Sequence, residues 1–336
     1  MNFNFSKTYR TKVIEGVSIP GLIRNGTHFF VDLDVYEDGR VECWNFEDFD
    51  HFKNDVQRGW VAVNIPDGQE ISIHSLGGWT INNGSWEYNK DTFIDYVWSI
   101  VEHLNPNLSN LYTYIEKKVN GIRIGESGKG SLYKEEKRVP NDPFPKKIKG
   151  KGINLFLKDD KNDYHLVRVD LYNPNSIFIN RLEQPLELSL IQLEQMILEK
   201  KVVTELPVGA QVSVLGLGRF SIQEEQYVVT ISEKLLEIKD TLRVLNGEPS
   251  TIDLCRALYK QYVGNPTENL KEQLKEAYEC IPEHERRYVG DMDVKDTAVR
   301  MIIYGEQEIE NWSHYQVAQQ MGEKLPTINI PDPKKE

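Results

Sequence analysis

The chain has 336 residues, a formal net charge of −12, 39% hydrophobic and 10% aromatic residues. That length accommodates two or three domains and that composition is globular, which excludes a disordered chain. The acidic balance disfavours wholesale binding to nucleic acid or an anionic membrane, and no stretch approaches the roughly 18 apolar residues of a membrane span.

MNFNFSKTYR at the start has no apolar core of signal-peptide length, so a cytoplasmic protein is expected. The first elements then read as a hairpin, His28 to Tyr36 and Arg40 to Trp44, turned by Glu37-Asp38-Gly39, because Asp-Gly suits a tight β-turn. Phe49, Phe52 and Val56 at helical spacing, stopped by Gly59, predict a helix over 47–58. Strands follow at 60–64, 70–74 and 79–81, then a second helix over 91–104.

This order then recurs. Residues 65–81, IPDGQEISIHSLGGWTI, align without a gap on 206–222, LPVGAQVSVLGLGRFSI, and VDLDVY (31–36) aligns on VRVDLY (167–172). The spacing sets Tyr36 on Tyr172, 136 residues on, and Pro66 on Pro207, 141 residues on, with a helix-like stretch between the blocks in each copy. Two copies are too few for a solenoid, which stacks about three units. The fold class expected is α+β: two tandem ββαβββα modules, 15–118 and 152–240, then a mainly helical C-terminal domain, 241–325, and a tail, 326–336.

Between the modules, 119–151 reads as a basic linker containing Gly and Pro. From Gly121 to Lys151 it carries nine Lys or Arg against four Asp or Glu, the one stretch suited to a phosphate backbone. Gly125-Glu-Ser-Gly-Lys-Gly-Ser131 imitates a phosphate-binding loop but fails it. Arg123 stands where the first glycine belongs and Gly130 where the hydroxyl belongs.

In the C-terminal domain Ser250-Thr-Ile-Asp253 caps a helix carrying Cys255, Tyr259 and Tyr262, and Asn265-Pro266 opens a second. Glu268, Glu272, Glu276 and Glu279 on that second helix argue against a DNA-binding pair of helices. Residues 298–304 read as a buried strand and 306–321 as one amphipathic helix. Cys43, Cys255 and Cys280, widely spaced and odd in number, make neither a disulfide framework nor a zinc motif. No cofactor is expected.

Two sets of residues carry chemistry. On strand alternation Val31, Leu33, Val35, Val41, Cys43, Val61, Val63, Ile71 and Ile73 face the core. The other face then shows Asp34, Tyr36, Trp44, Trp60 and His74, a candidate contact surface for another protein. Trp44 and Trp60 become Asn180 and Lys201 in the second copy, so the module does not need tryptophan there; Trp79 and Trp86 become Phe220 and Tyr227 and read as structural. The second set is Asp291, Asp293, Lys295 and Asp296. Asp291, Asp293 and Asp296 are candidate metal ligands, and Asp291, Asp293 and Lys295 the catalytic set of an alternative, a divalent-metal-dependent phosphodiesterase or nuclease.

The stretch from His284 to His314, HERRYVGDMDVKDTAVRMIIYGEQEIENWSH, and residues 21–81 resemble segments of uncharacterised bacterial proteins grouped as domains of unknown function. That resemblance implies no activity and no catalytic residues. The function expected is therefore a non-enzymatic protein-binding protein, with bacterial conflict (toxin immunity or phage defence) as its setting.

Overall fold

The computed structural model describes residues 14–44, 46–129 and 149–333. The first repeat is β1 (Gly16–Asn25), β2 (Thr27–Tyr36), β3 (Val41–Glu42), β4 (Phe46–Glu47), α1 (Phe49–Arg58), β5 (Val61–Ala62), β6 (Glu70–Ile73), β7 (Gly77–Trp86) and α2 (Lys90–Leu104). A separate hairpin, β8 (Thr113–Val119) and β9 (Ile122–Lys129), follows. The second repeat is β10 (Gly150–Lys158), β11 (Tyr164–Tyr172), β12 (Ser176–Asn180), β13 (Leu186–Leu188), α3 (Leu190–Leu198), β14 (Val202–Val203), β15 (Gln211–Val214), β16 (Gly218–Val228) and α4 (Ile231–Leu245). The fold is α+β with the same element order in both copies.

The sequence reading missed β1, whose Pro20 and Gly21 are poor strand formers. It survives because Pro20 needs no donor on its outer edge: β1 pairs with β2 along its whole length but with β5 only at Leu22 and Ile23. The stretch 119–151, read as linker, holds β9 and the start of β10, and residues 130–148 lie outside the described residues. Gly125 to Lys129 of the motif that imitates a phosphate cradle are strand, within β9, and Gly130 and Ser131 lie outside the described residues.

Each copy is built around one strand with a divided edge. β2 carries β1 on one side; on the other, β3 pairs at Asp34 and Val35 and β6 runs parallel at His28 to Phe30. β11 repeats this with β10, β12 and β15. The copies join through β7 and β16, which pair antiparallel with Ile81 opposite Ile222. Those two isoleucines are equivalent positions, so a local two-fold axis passes between them.

The sheet is buried on both faces, which corrects one expectation. Leu33, Val35, Val41 and Val61 do pack beneath Phe52 and Val56 of α1 and Phe93, Val97 and Val101 of α2. Ile71 and Ile73 do not join them. The parallel register sets Ile71 beside His28 and Ile73 beside Phe30, on the opposite face from Leu33. There they enter a core shared with the second repeat, containing Leu22, Phe30 and Trp79 from one copy and Phe156, Leu166, Val212 and Phe220 from the other. Trp79 is fully buried and meets Phe156 edge-on at 5.4 Å, so truncating it to alanine would cost about 3–5 kcal/mol.

The C-terminal domain comprises α5 (Thr251–Gly264), α6 (Glu268–Glu279), α7 (Glu283–Arg286), α8 (Thr297–Tyr304), a 3-10 turn (Glu306–Asn311) and α9 (Ser313–Met321). Residues 298–304 are therefore a helix, not a strand. Ala298, Val299, Met301, Ile302 and Ile303 are all buried, while Arg300 and Tyr304, four residues apart as on one helix face, are less so, and the neighbours offer helices to pack on. The expected single helix over 306–321 is interrupted at Trp312, which is extended. The domain docks on α4: Thr251 N–H donates to Asp240 Oδ1 (2.8 Å), and Glu283 N–H to Glu233 Oε1 (3.2 Å). Lys234, wholly buried, donates to Glu237 at 2.6 Å, and Lys151 approaches Glu237 at 3.5 Å.

Candidate functional site: an aromatic face on the first repeat

Strand pairing lines up four positions on one face: Phe29 of β2 beside Ser72 of β6, Ser72 beside Gly78 of β7, and Gly78 beside Tyr227 of β16. Tyr227 belongs to the second repeat, so both copies build this face. Its ring lies flat over Gly78, where an added Cβ would come within 2.7 Å of it, and its hydroxyl meets Ser72 Oγ at 3.1 Å. Residues 43 and 44 leave the strand after β3, and Trp44 swings onto Phe29 with ring centroids 5.4 Å apart. Trp44 and Tyr227 remain 53% and 56% exposed. Large rings left in solvent beside a polar strand face mark a contact surface, since they offer area and directional bonding at small entropic cost.

His74, also exposed, follows Ser72 in the turn between β6 and β7. The other expected contact residues are elsewhere. Asp34 and Tyr36 point to the opposite side of β2 from Phe29, because five and seven positions separate them on a strand of period two. There Asp34 accepts from Ser18, and Tyr36 donates to Glu42 Oε2 at 3.1 Å. Burial, with Asp34 and Glu42 nearby, pushes the Tyr36 phenol up to about 12. Trp60 is half-buried against its own module's core and lies under the Arg58 guanidinium at 6.0 Å, in a cleft with Arg24. Among the described residues no ring contact joins Trp44 to Trp60.

Sequence reasoning placed Tyr227 with the core and did not single out Phe29. The signal for Tyr227 was Gly78 opposite Arg219 in the aligned copies, since a bare glycine leaves room for a ring. It was hidden by irregular pairing between β16 and β7, which shifts register three times.

The second copy shows what the module itself requires. Phe29, Trp44, Ser72, His74 and Gly78 correspond to His165, Asn180, Ser213, Leu215 and Arg219. His165 there sits 3.3 Å from Asp159. Tyr227 corresponds to Trp86, which lines a recess with His165, Ser213 and Arg219, so what is peculiar to the first repeat's face is the pair Phe29 and Trp44.

The acidic loop is organised by its own backbone. Asp291 Oδ1 accepts from the N–H groups of Asp293 (3.0 Å) and Val294 (2.7 Å), and Asp296 accepts from the Tyr278 hydroxyl. Trp312 Nε1 donates to the Asp293 carbonyl at 2.8 Å, and Lys295 adopts a left-handed φ of 53° with its carbonyl pressed against Gly290. Among the described residues no three His, Cys, Asp or Glu side chains are placed to hold a metal ion, so Asp291, Asp293 and Asp296 do not form the expected ligand set. Asp291 and Asp296 act as turn and tyrosine acceptors instead. Among the described residues, too, no helix is long and apolar enough to cross a membrane.

Residues 4–108 and, separately, 138–249 match the family described as Domain of unknown function (DUF7638), and residues 250–328 match Domain of unknown function (DUF7639). No curated protein and no solved structure matches. The double match coincides with the two copies paired through β7 and β16, and the chain belongs to the DUF7638 family, carrying that domain twice ahead of one DUF7639 domain.

Proposed function

We propose that this chain is a non-enzymatic binding protein that recognises another protein through the face formed by Trp44, Phe29, Ser72, His74 and Tyr227. The observation that carries this reading is the contrast between copies: the same module places His165 and Asn180 where this face has Phe29 and Trp44 and keeps its fold, so the exposed Trp44 ring serves something other than folding. A net charge of −12 suits a basic partner, because complementary charge speeds encounter and disfavours wrong pairings. An exposed cysteine, Cys280, and the absence of any disulfide among the three cysteines accord with a reducing compartment, the cytoplasm. Neutralisation of a basic toxin, or a part in phage defence, is the setting this recogniser fits.

The test compares wild type with Trp44→Ala and Tyr227→Ala as baits in the native cell extract, with captured proteins identified by mass spectrometry. Both variants keep the wild-type melting temperature and lose the same captured protein. Unchanged capture by both variants refutes the face as the contact surface.

A further inference from the structure

A second recess in the first repeat takes no part in that face. α1 and α2 on one side, and residues 111–113 leading into β8 on the other, enclose about 410 Å³. That volume lies in the range of small-ligand clefts, about 300–1,000 Å³. Its walls are largely apolar and aromatic, with Phe49 and Trp98 meeting at 4.6 Å between ring centroids beside Ile94, Leu111 and Tyr112, and Asp48, Lys53 and Thr113 supply polar lining. Asp50 and Asp95 stand at the rim. Asp95 is exposed and has no ion-pair partner among the described residues, whereas Asp50 holds Lys53 at 2.7 Å. The Lys53 ammonium lies 5.5 Å from the Phe49 centroid, so one cation already rests on this aromatic wall. The Trp98 indole is held by Glu102, to which it donates at 2.9 Å.

The second repeat again supplies the comparison. Aligned on the helix caps Asp48 with Ser189 and Asn89 with Thr230, Phe49 corresponds to Leu190, Lys53 to Glu194, Asp95 to Leu236 and Trp98 to Lys239. There Lys239 and Glu194 bridge α4 to α3 at 2.7 Å. Helix packing in this module therefore needs neither the aromatic pair nor the rim aspartate.

We infer that this cleft receives an arginine or lysine side chain from a basic segment of a partner protein. The stacked rings accept the apolar stem and the face of the cation, and Asp95 neutralises its charge. A neutral guest would leave Asp95 without a counter-charge, and an acidic one would be repelled by it and by the chain's overall charge. The inference stands independently of the aromatic face.

The test follows the Trp98 indole N–H resonance of the full chain, assigned with Trp98→Phe, during titration with the capped peptide acetyl-Leu-Arg-Leu-amide. A saturable shift is expected, with affinity at least about tenfold greater than for the Gln analogue, since one neutralised carboxylate plus a cation–π contact is worth roughly 1.4 kcal/mol or more. Asp95→Asn lowers the arginine peptide's affinity to that of the Gln analogue. Trp98→Leu, which keeps an apolar wall and removes the ring, abolishes saturable binding of the arginine peptide in calorimetry. Equal binding of the Arg and Gln peptides, full affinity in Asp95→Asn, or no saturable shift at millimolar peptide overturns the inference.

Discussion

Asp32 and Arg168 occupy the same position in the two repeats, 136 residues apart, and bind each other: Arg168 Nη1 donates to Asp32 Oδ2 at 2.7 Å. Arg181 donates to the other oxygen of Asp32, reaches Asn154 Oδ1 at 2.9 Å and covers the Phe30 ring at 5.0 Å, while Arg168 also holds Asp170 at 2.7 Å. Identical copies would set aspartate against aspartate or arginine against arginine here. Drift to opposite charges has made each copy the other's specific partner.

Asp32→Ala leaves Arg181, whose side chain is only 9% exposed, without a counter-charge and should cost about 3 kcal/mol in urea denaturation. Arg168→Ala should cost less, because Arg181 still holds Asp32. A change within about 0.5 kcal/mol for Asp32→Ala would mean the copies are joined by the sheet and core alone.

Gly77 and Gly218 are equivalent residues at the starts of β7 and β16, and each lies against the other strand's backbone. A Cβ on Gly77 would come 2.6 Å from the Tyr227 carbonyl oxygen; on Gly218, which also has φ 149°, it would come 2.4 Å from that of Ser85. Alanine at Gly77 should therefore cost about 2–3 kcal/mol, and at Gly218 at least as much. Gly26, with φ 79° and open space around it, carries only the backbone term of about 1 kcal/mol. Melting temperatures should rank Gly26→Ala above Gly77→Ala, and Gly77→Ala at or above Gly218→Ala.

Asp48 fastens the β8–β9 hairpin to the first repeat. It caps α1 through the His51 N–H (2.9 Å), meets the His51 ring at 2.7 Å and accepts the Tyr114 N–H at 2.6 Å. Burial alone would raise its pKa, but the Tyr114 and His51 hydrogen bonds outweigh burial and hold it below 3.8. A depressed carboxyl stabilises the fold above its ordinary value and loses that contribution as pH falls through the folded one. The stability difference between wild type and Asp48→Asn, which keeps the cap but not the charge, should shrink as urea midpoints are followed below about pH 3.8.

Glu285 behaves in the opposite sense. Burial first, and then Glu237, raise its pKa above 4.5, with Asp240 adding to this and His284 and Lys151 opposing it. Ionising it costs stability as pH rises through the folded value, and below 4.5 that cost is absent. Glu285→Gln should therefore raise the melting temperature at pH 7 and leave it unchanged at pH 4. A lower melting temperature at pH 7 would show instead that the charge is needed by Lys151 and His284.

Much of this architecture was legible because it occurs twice. Aligned turns and strands gave the α+β modules, and the fate of Trp79, Phe220 in the second copy and buried in both, followed from that alignment. Register was not legible. That Ser72 lies beside Phe29, and so away from Asp34 and Tyr36, depends on a parallel pairing between β2 and β6 that no local pattern encodes. Tyr227 and Trp98 were missed for a related reason: each acquires its surroundings from a distant element, β7 for the one and the segment before β8 for the other. The run at 298–304 reads as a strand when its five buried apolar residues are weighed alone; the less buried Arg300 and Tyr304, four apart, carry the helical period.

The union of β7 with β16 also governs the order in which the molecule can be made. When the first repeat leaves the ribosome, β7 has an unpaired edge and Trp79 faces a surface whose partner, Phe156, is not yet synthesised. At about 5–20 residues per second the roughly 140 residues from Trp86 to Val228 take about 7–28 s, long enough for the bare strand to pair with another nascent copy. A fragment ending after α2 should accordingly self-associate through β7, and the intact chain depends on its second half arriving before a neighbour does.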